Sequence, residues 1–213
     1  MVRKISLWFA RVGVWLFFCF RFYYKLSRLY QKMQLTWANK GATLPVINDI
    51  QQLEDLLSRM KWRKDTIRQW FDTFEHPKAI WIKYLAHPEK GVEDCDGFAI
   101  FGANRIQDMI KRGQDLWPGA VPIRTCILTV AYRRAKQYGG HNVCLVVYAD
   151  AEANAVHWGY IGNWYSGKFQ GGFKSAWPII CGIAGGDIVG WAVATPQMTL
   201  IKHGWRKQRI AIP

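Results

Sequence analysis

Three residues of this chain have the types and spacing for covalent chemistry: Cys95, His141 and Asn163. Cys95 lies in residues 88–107, PEKGVEDCDGFAIFGANRIQ. A turn region (Pro88, Lys90, Gly91) leads into a predicted amphipathic helix whose buried stripe is Ala99, Gly102, Ala103, Ile106 and Ile110, with Gly113 as terminator. Cys95 therefore falls on the first turn. There the unpaired N–H groups and the helix dipole stabilise a thiolate, and the same groups can steady the oxyanion formed when it attacks a carbonyl. Residues 139–164 read as a hairpin, with Val143–Tyr148 as one strand, Asp150–Asn154 as a polar turn and Ala155–Asn163 as the return. Folding the chain about residue 152 sets His141 opposite Asn163 or its neighbour Gly162. Antiparallel partners have Cα atoms about 4.5–5.5 Å apart, so ring and amide meet if they face the same way. Asn163 then accepts the N–H of one ring nitrogen and leaves the other to take the proton of Cys95.

The segment Asp94-Cys95-Asp96-Gly97-Phe98-Ala99 follows Trp81-x-Lys83-Tyr84 and a Pro/Gly lead-in. It resembles the nucleophile motif Gly-Asp-Cys-[Glu/Asp]-Asp-[Phe/Tyr]-Ala of transglutaminase-like cysteine peptidases. Glu93 stands where that motif has Gly, and Gly97 where it has Asp. The resemblance spans about residues 60–200. In that family the third member is Asp or Asn on the strand after the histidine strand, often in an Asp-Asn pair where this chain has Gly162-Asn163. The resemblance implies a papain-like site with Cys95 as nucleophile, His141 as base and Asn163 as orienting group, and no cofactor. It further implies a thioester resolved by water, in a peptidase or amidase, or by an amine, in a cross-linking transferase. Hydrolysis is preferred, because nothing suggests a dedicated amine site. A small cysteine peptidase with an aromatic, basic arm is similar to components that bacteriophages carry in the virion, in the tail or inside, to open the cell wall. The implied substrate is a peptide or peptidoglycan. The competing class is a non-catalytic structural or adaptor protein of a virion or membrane-associated assembly that keeps the fold.

Other candidates have plainer readings. His157 falls inside the return strand facing Val147, as a packed or surface residue; His76, His87 and His203 lie beside Pro or Gly in expected loops. Asp150 belongs to the turn, and Asp187 opens a late strand. No histidine–carboxylate cluster has metal-ligand spacing, and no phosphate or dinucleotide fingerprint occurs. The five cysteines (Cys19, Cys95, Cys126, Cys144, Cys181) are odd in number and irregularly spaced, which opposes a disulfide framework or a paired-cysteine zinc site and fits synthesis in a reducing cytoplasm.

These residues must be positioned by a chain of 213 residues with net charge +14, long enough for one domain and an appended segment. Residues 1–45 form that segment, a basic aromatic arm, and residues 46–213 the transglutaminase-like domain. Eight cations and eleven aromatics fall in residues 1–40, and the first carboxylate is Asp49. The apolar run Val12–Phe20 is too short to span a bilayer, which needs about 20 residues. Arg21 and bulky aromatics, with no small-x-small site, oppose a cleaved signal. Farther on, Arg21, Lys25, Arg28 and Lys32 make a basic helix face, with Leu26, Leu29, Tyr30 and Met33 on another. This arm either anchors the protein to a membrane interface or inside an assembly, or packs on its own domain with a solvated basic side. Its aliphatic content opposes a nucleic-acid surface. A helix capped by Asn48 and Gln51 buries Ile50, Leu53, Leu56, Leu57 and Met60; helical stretches Lys64–Phe74 and 79–87 follow, then strands at 126–132, 187–194 and 198–205 beside the hairpin. Residues 164–177 read as a Gly- and aromatic-rich loop. The fold class is α+β, with the nucleophile helix packed on an antiparallel sheet.

Overall fold

The computed structural model describes residues 20–38, 43–61, 74–90, 94–134, 137–163, 166–169 and 187–205. These form an α+β fold in which helices α1 (Phe20–Ala38), α2 (Ile50–Arg59), α3 (Pro77–Ala86) and α4 (Cys95–Arg112) precede six strands. The strands are β1 (Ala120–Arg134), β2 (Gln137–Asp150), β3 (Ala155–Ile161), β4 (Ser166–Phe169), β5 (Asp187–Ala194) and β6 (Leu200–Trp205). They make one antiparallel sheet in the order β4-β3-β2-β1-β5-β6.

Local chemistry explains the helix ends. The Asp94 side chain accepts from the Asp96 N–H at 3.2 Å, and Gly113 closes α4 at φ 64, a left-handed conformation that suits glycine. The cap of α2 sits one residue later than the sequence reading: Asp49 accepts from Gln52 N at 2.8 Å, and the Gln52 side chain accepts from Asn48 N at 3.1 Å. Pro77 opens α3 behind His76, whose Nδ1 accepts from Lys78 N at 3.2 Å. His76 is thus a cap, and burial and Lys78 lower its pKa. The helix expected from Lys64 lies outside the described residues as far as Phe74, as do Cys19, Cys181 and the first nineteen residues.

The strand pleat sorts side chains into two clusters. On one face α4 (Phe98, Ala99, Ala103, Ile106) packs over Ile127, Cys144, Val146, Ile161, Ala192 and Ala194. On the other lie Leu128, Val130, Val143, Leu145, Val147, Trp158, Trp191 and Val193. Strand β1 starts six residues before the expected strand, and β4 appears where a loop was expected. At Gly159 an added Cβ would lie 2.5 Å from the Trp117 ring and 3.0 Å from the Gly167 carbonyl, so β3 needs glycine where that ring lies over it.

One face of α1 packs on the domain, as one of the two readings of the arm required. Tyr24 stacks on Phe74 at 5.9 Å, and Phe20 meets the His203 ring at 6.2 Å. The Thr129 hydroxyl donates to Asn142 Oδ1 at 2.5 Å, so the Tyr24 hydroxyl, also at 2.5 Å, must donate to Thr129. All three residues are buried, and burial raises the Tyr24 pKa. Thr129→Val keeps the shape but leaves Asn142 Oδ1 and the Tyr24 hydroxyl without this partner. A loss of about 1–3 kcal/mol is expected, read as a lower urea midpoint at unchanged slope; an unchanged midpoint refutes it.

Candidate active site

The first turn of α4 carries Cys95 directly after the Asp94 cap, partly accessible and in the reduced state. Asp96 follows, buried, with no hydrogen-bond partner for its Oδ1. The helix dipole favours an anion on this sulfur. Two flanking carboxylates, where ionised, act in the opposite sense. Cys126 and Cys144 are of another kind: both lie inside the sheet, and burial pushes each up to about 12. Cys144 also sits 3.2 Å from the Thr125 hydroxyl. They are inert internal references for the reactivity of Cys95.

The packing of α4 fixes which end of the sheet Cys95 occupies. An added Cβ on Gly102 would lie 3.6 Å from Ile161, the register partner of Cys144. After α4, Leu116 N donates to Ala120 O at the start of β1, which pairs with the end of β2. The amino terminus of α4 therefore points towards the beginning of β2. Seven helical residues cover about 10 Å, and three strand residues cover about the same. Cys95 is brought to the end of the sheet where His141 and Asn142 lie.

His141 is at that end but on the other face. Its register partner is Val130, and the pairing of β1 with β2 runs without a bulge from Arg124↔Val147 to Arg134↔Gln137. Alternation then groups His141 with Val143, Leu145 and Val147, away from α4, while Asn142 joins Cys144 and Val146 beneath it. The Tyr132 ring agrees: it packs with the far cluster and lies over Gly139, 2.6 Å from where a Cβ would stand. His141 Nε2 is buried without a hydrogen-bond partner, and desolvation lowers the imidazole to about 4. It is neutral at pH 7.

Asn163 is not joined to His141. The turn is the four-residue loop 151–154, not the five residues expected, with Asp150 paired to Ala155 and Asn154 at φ 46. That changes the parity of the hairpin: pairing ends at Cys144↔Ile161, and continued register would set Asn163 opposite Asn142. Asn163 Oδ1 is buried and has no hydrogen-bond partner. The same parity pairs His157 with Tyr148, not Val147, with ring centroids 5.8 Å apart. Among the described residues no hydrogen bond connects Cys95, His141 and Asn163, and no group of three His, Cys, Asp or Glu side chains is arranged for a metal ion. The Tyr24–Thr129–Asn142 chain was missed from sequence; its signal was the position of Asn142 between His141 and Val143 in an alternating strand. No family model, curated protein or solved structure matches the chain.

Proposed function

We propose that the chain is a cysteine-dependent peptidase or amidase with a transglutaminase-like, papain-related core, acting through a thioester on Cys95. The observation that carries the reading is the position of Cys95: the first turn of an Asp-capped helix of 18 residues, partly open to solvent. Support comes also from the Asp94–Ala99 segment and from the buried His141 ring nitrogen at the same end of the sheet. The Cys95 sulfur gives its proton to the imidazole and bonds to the carbonyl carbon of an amide. The C–N bond then breaks, and the amine leaves with the proton that the imidazolium returns. Water attacks the thioester, the imidazole takes its proton, and carboxylate and thiol are released. A neutral imidazole is the form needed to accept the first proton, and in this reading Asn163 is the group that orients it.

This chemistry needs His141 on the α4 side. Because side chains alternate along a strand, exchanging His141 for Asn142 beneath α4 takes a one-residue shift of β2 between His141 and Val143, and it breaks the Thr129–Asn142 bond. The observed register favours a second reading, in which Cys95 and His141 stay on opposite faces and the fold serves assembly as a structural or adaptor protein.

Alkylation by iodoacetamide from about pH 5 to about pH 9, read by peptide mass spectrometry, separates them. The peptidase reading expects Cys95 to react far faster than Cys126 and Cys144, and to slow at least about tenfold in His141→Ala. It also expects a disulfide between Cys95 and a cysteine at 141 in His141→Cys. Alkylation indifferent to His141, with the disulfide forming only in Asn142→Cys, gives the site to the second reading.

A further inference from the structure

We infer that the solvent-facing side of α1 is a docking face for an anionic lipid bilayer. At 3.6 residues per turn, the side chains of α1 divide into three rows. Phe20, Tyr23, Tyr24, Ser27, Gln31, Gln34 and Ala38 are buried against the domain. On the solvent side Phe22, Leu29, Met33 and Trp37 fall within an arc of about 80° and are 48%, 56%, 60% and 48% exposed. Arg21, Lys25, Arg28 and Lys32 form a row beside them, all exposed.

Large apolar residues in a continuous exposed stripe are unusual on a surface that meets only water. Charge complementarity selects the occupant. The helix contains no carboxylate, and no carboxylate among the described residues pairs with any of the four cations. Their aliphatic stems can lie along the apolar row while the charged ends reach phosphate groups. The face is one side of a single helix about 28 Å long, a line of contact matched to a flat surface. No described helix is long and apolar enough to cross a membrane, so α1 would lie in the interface plane, with Phe22, Leu29, Met33 and Trp37 entering the headgroup–acyl boundary. This inference is independent of the chemistry at Cys95.

The test is co-sedimentation of the full chain with vesicles of phosphatidylcholine alone and of phosphatidylcholine containing one quarter phosphatidylglycerol, at low and raised salt. Binding is expected to the anionic vesicles, weakening as salt screens it. Lys25→Gln with Arg28→Gln should weaken it about fivefold for each cation removed. Leu29→Gln with Met33→Gln should weaken it at least about tenfold. All four positions face solvent, so both variants should keep the wild-type unfolding midpoint, and either pair alone decides the outcome. Equal binding to neutral and anionic vesicles overturns the inference, as does binding unchanged in both pairs, which would assign it to another part of the chain. Absence of vesicle binding together with self-association that the Leu29/Met33 pair abolishes also overturns it, and gives the face to a second copy.

Discussion

Phe101→Ala is expected to lower the unfolding free energy by about 3–5 kcal/mol. Phe101 is fully buried in the second turn of α4, and its ring meets Trp81 of α3 with centroids 6.3 Å apart. It thus joins the nucleophile helix to the helix before it, while Phe98, Ala99 and Ala103 hold α4 on the sheet. Truncation removes the transfer free energy of the ring and leaves a cavity that neighbours on two helices and a sheet cannot all move to fill. Typical domains are stable by only about 5–15 kcal/mol, so this change takes a large share of the total. Urea unfolding should give a lower midpoint at unchanged slope. A loss under about 1 kcal/mol would mean that α4 is not held as described. Cys126 and Cys144, inside the sheet, would report the same loosening as faster alkylation.

The second large effect depends on pH. Burial depresses the His141 imidazole from its ordinary 6.5 to about 4. The unfolded chain therefore binds a proton between those values that the folded chain does not. The contribution of His141 is whole above pH 6.5, declines as pH falls through that window and is lost below about 4. At 1.36 kcal/mol per tenfold change in proton affinity, the interval from 6.5 to about 4 corresponds to about 3 kcal/mol. His141→Leu removes the titrating group and keeps an apolar side chain beside Val143 and Val130. The difference in stability between pH 7 and pH 4 should then be smaller in the variant by up to about 3 kcal/mol. Carboxylates titrate equally in both proteins and cancel. Parallel stability curves for wild type and variant would show that His141 is solvated in the folded state.

Legibility in the sequence followed the range of the interactions. Helix α4, its Asp94 start and its Gly113 stop are local: a cap, a stripe at helical spacing and a left-handed glycine can all be read within twenty residues. The β2–β3 hairpin was legible as an element but not in register. Asp150, Asn154 and the Ala-Glu-Ala between them announce a turn equally well with four or five residues in the loop, and that one residue decides which side chains of the two strands share a face. The pairing of His141 with Asn163 or Gly162 rested on that count, whereas the face of His141 is set within β2, by its alternation with Val143 and Leu145. The extra length of β1 and β2 was hidden by Arg133, Gly139 and Gly140, which weaken a strand pattern that the neighbouring strand sustains. The role of Asn142 could not be read locally, because its partners, Thr129 and Tyr24, are distant along the chain. Of α1, periodicity named the basic row, while the packed row became visible only with Phe74, Thr129 and His203 in place.

The chain of hydroxyl and amide from Tyr24 through Thr129 to Asn142 bears on how far the protein can be divided. A boundary at residue 45, natural on charge alone, would cut through a packed body. A chain begun at residue 46 would lack the cover that α1 lays over Phe74 and would leave Thr129 without its donor. The basic helix is therefore not a cartridge that can be removed or transplanted intact. Its outward rows are open to exchange, whereas its inward row belongs to the same indivisible unit as the sheet.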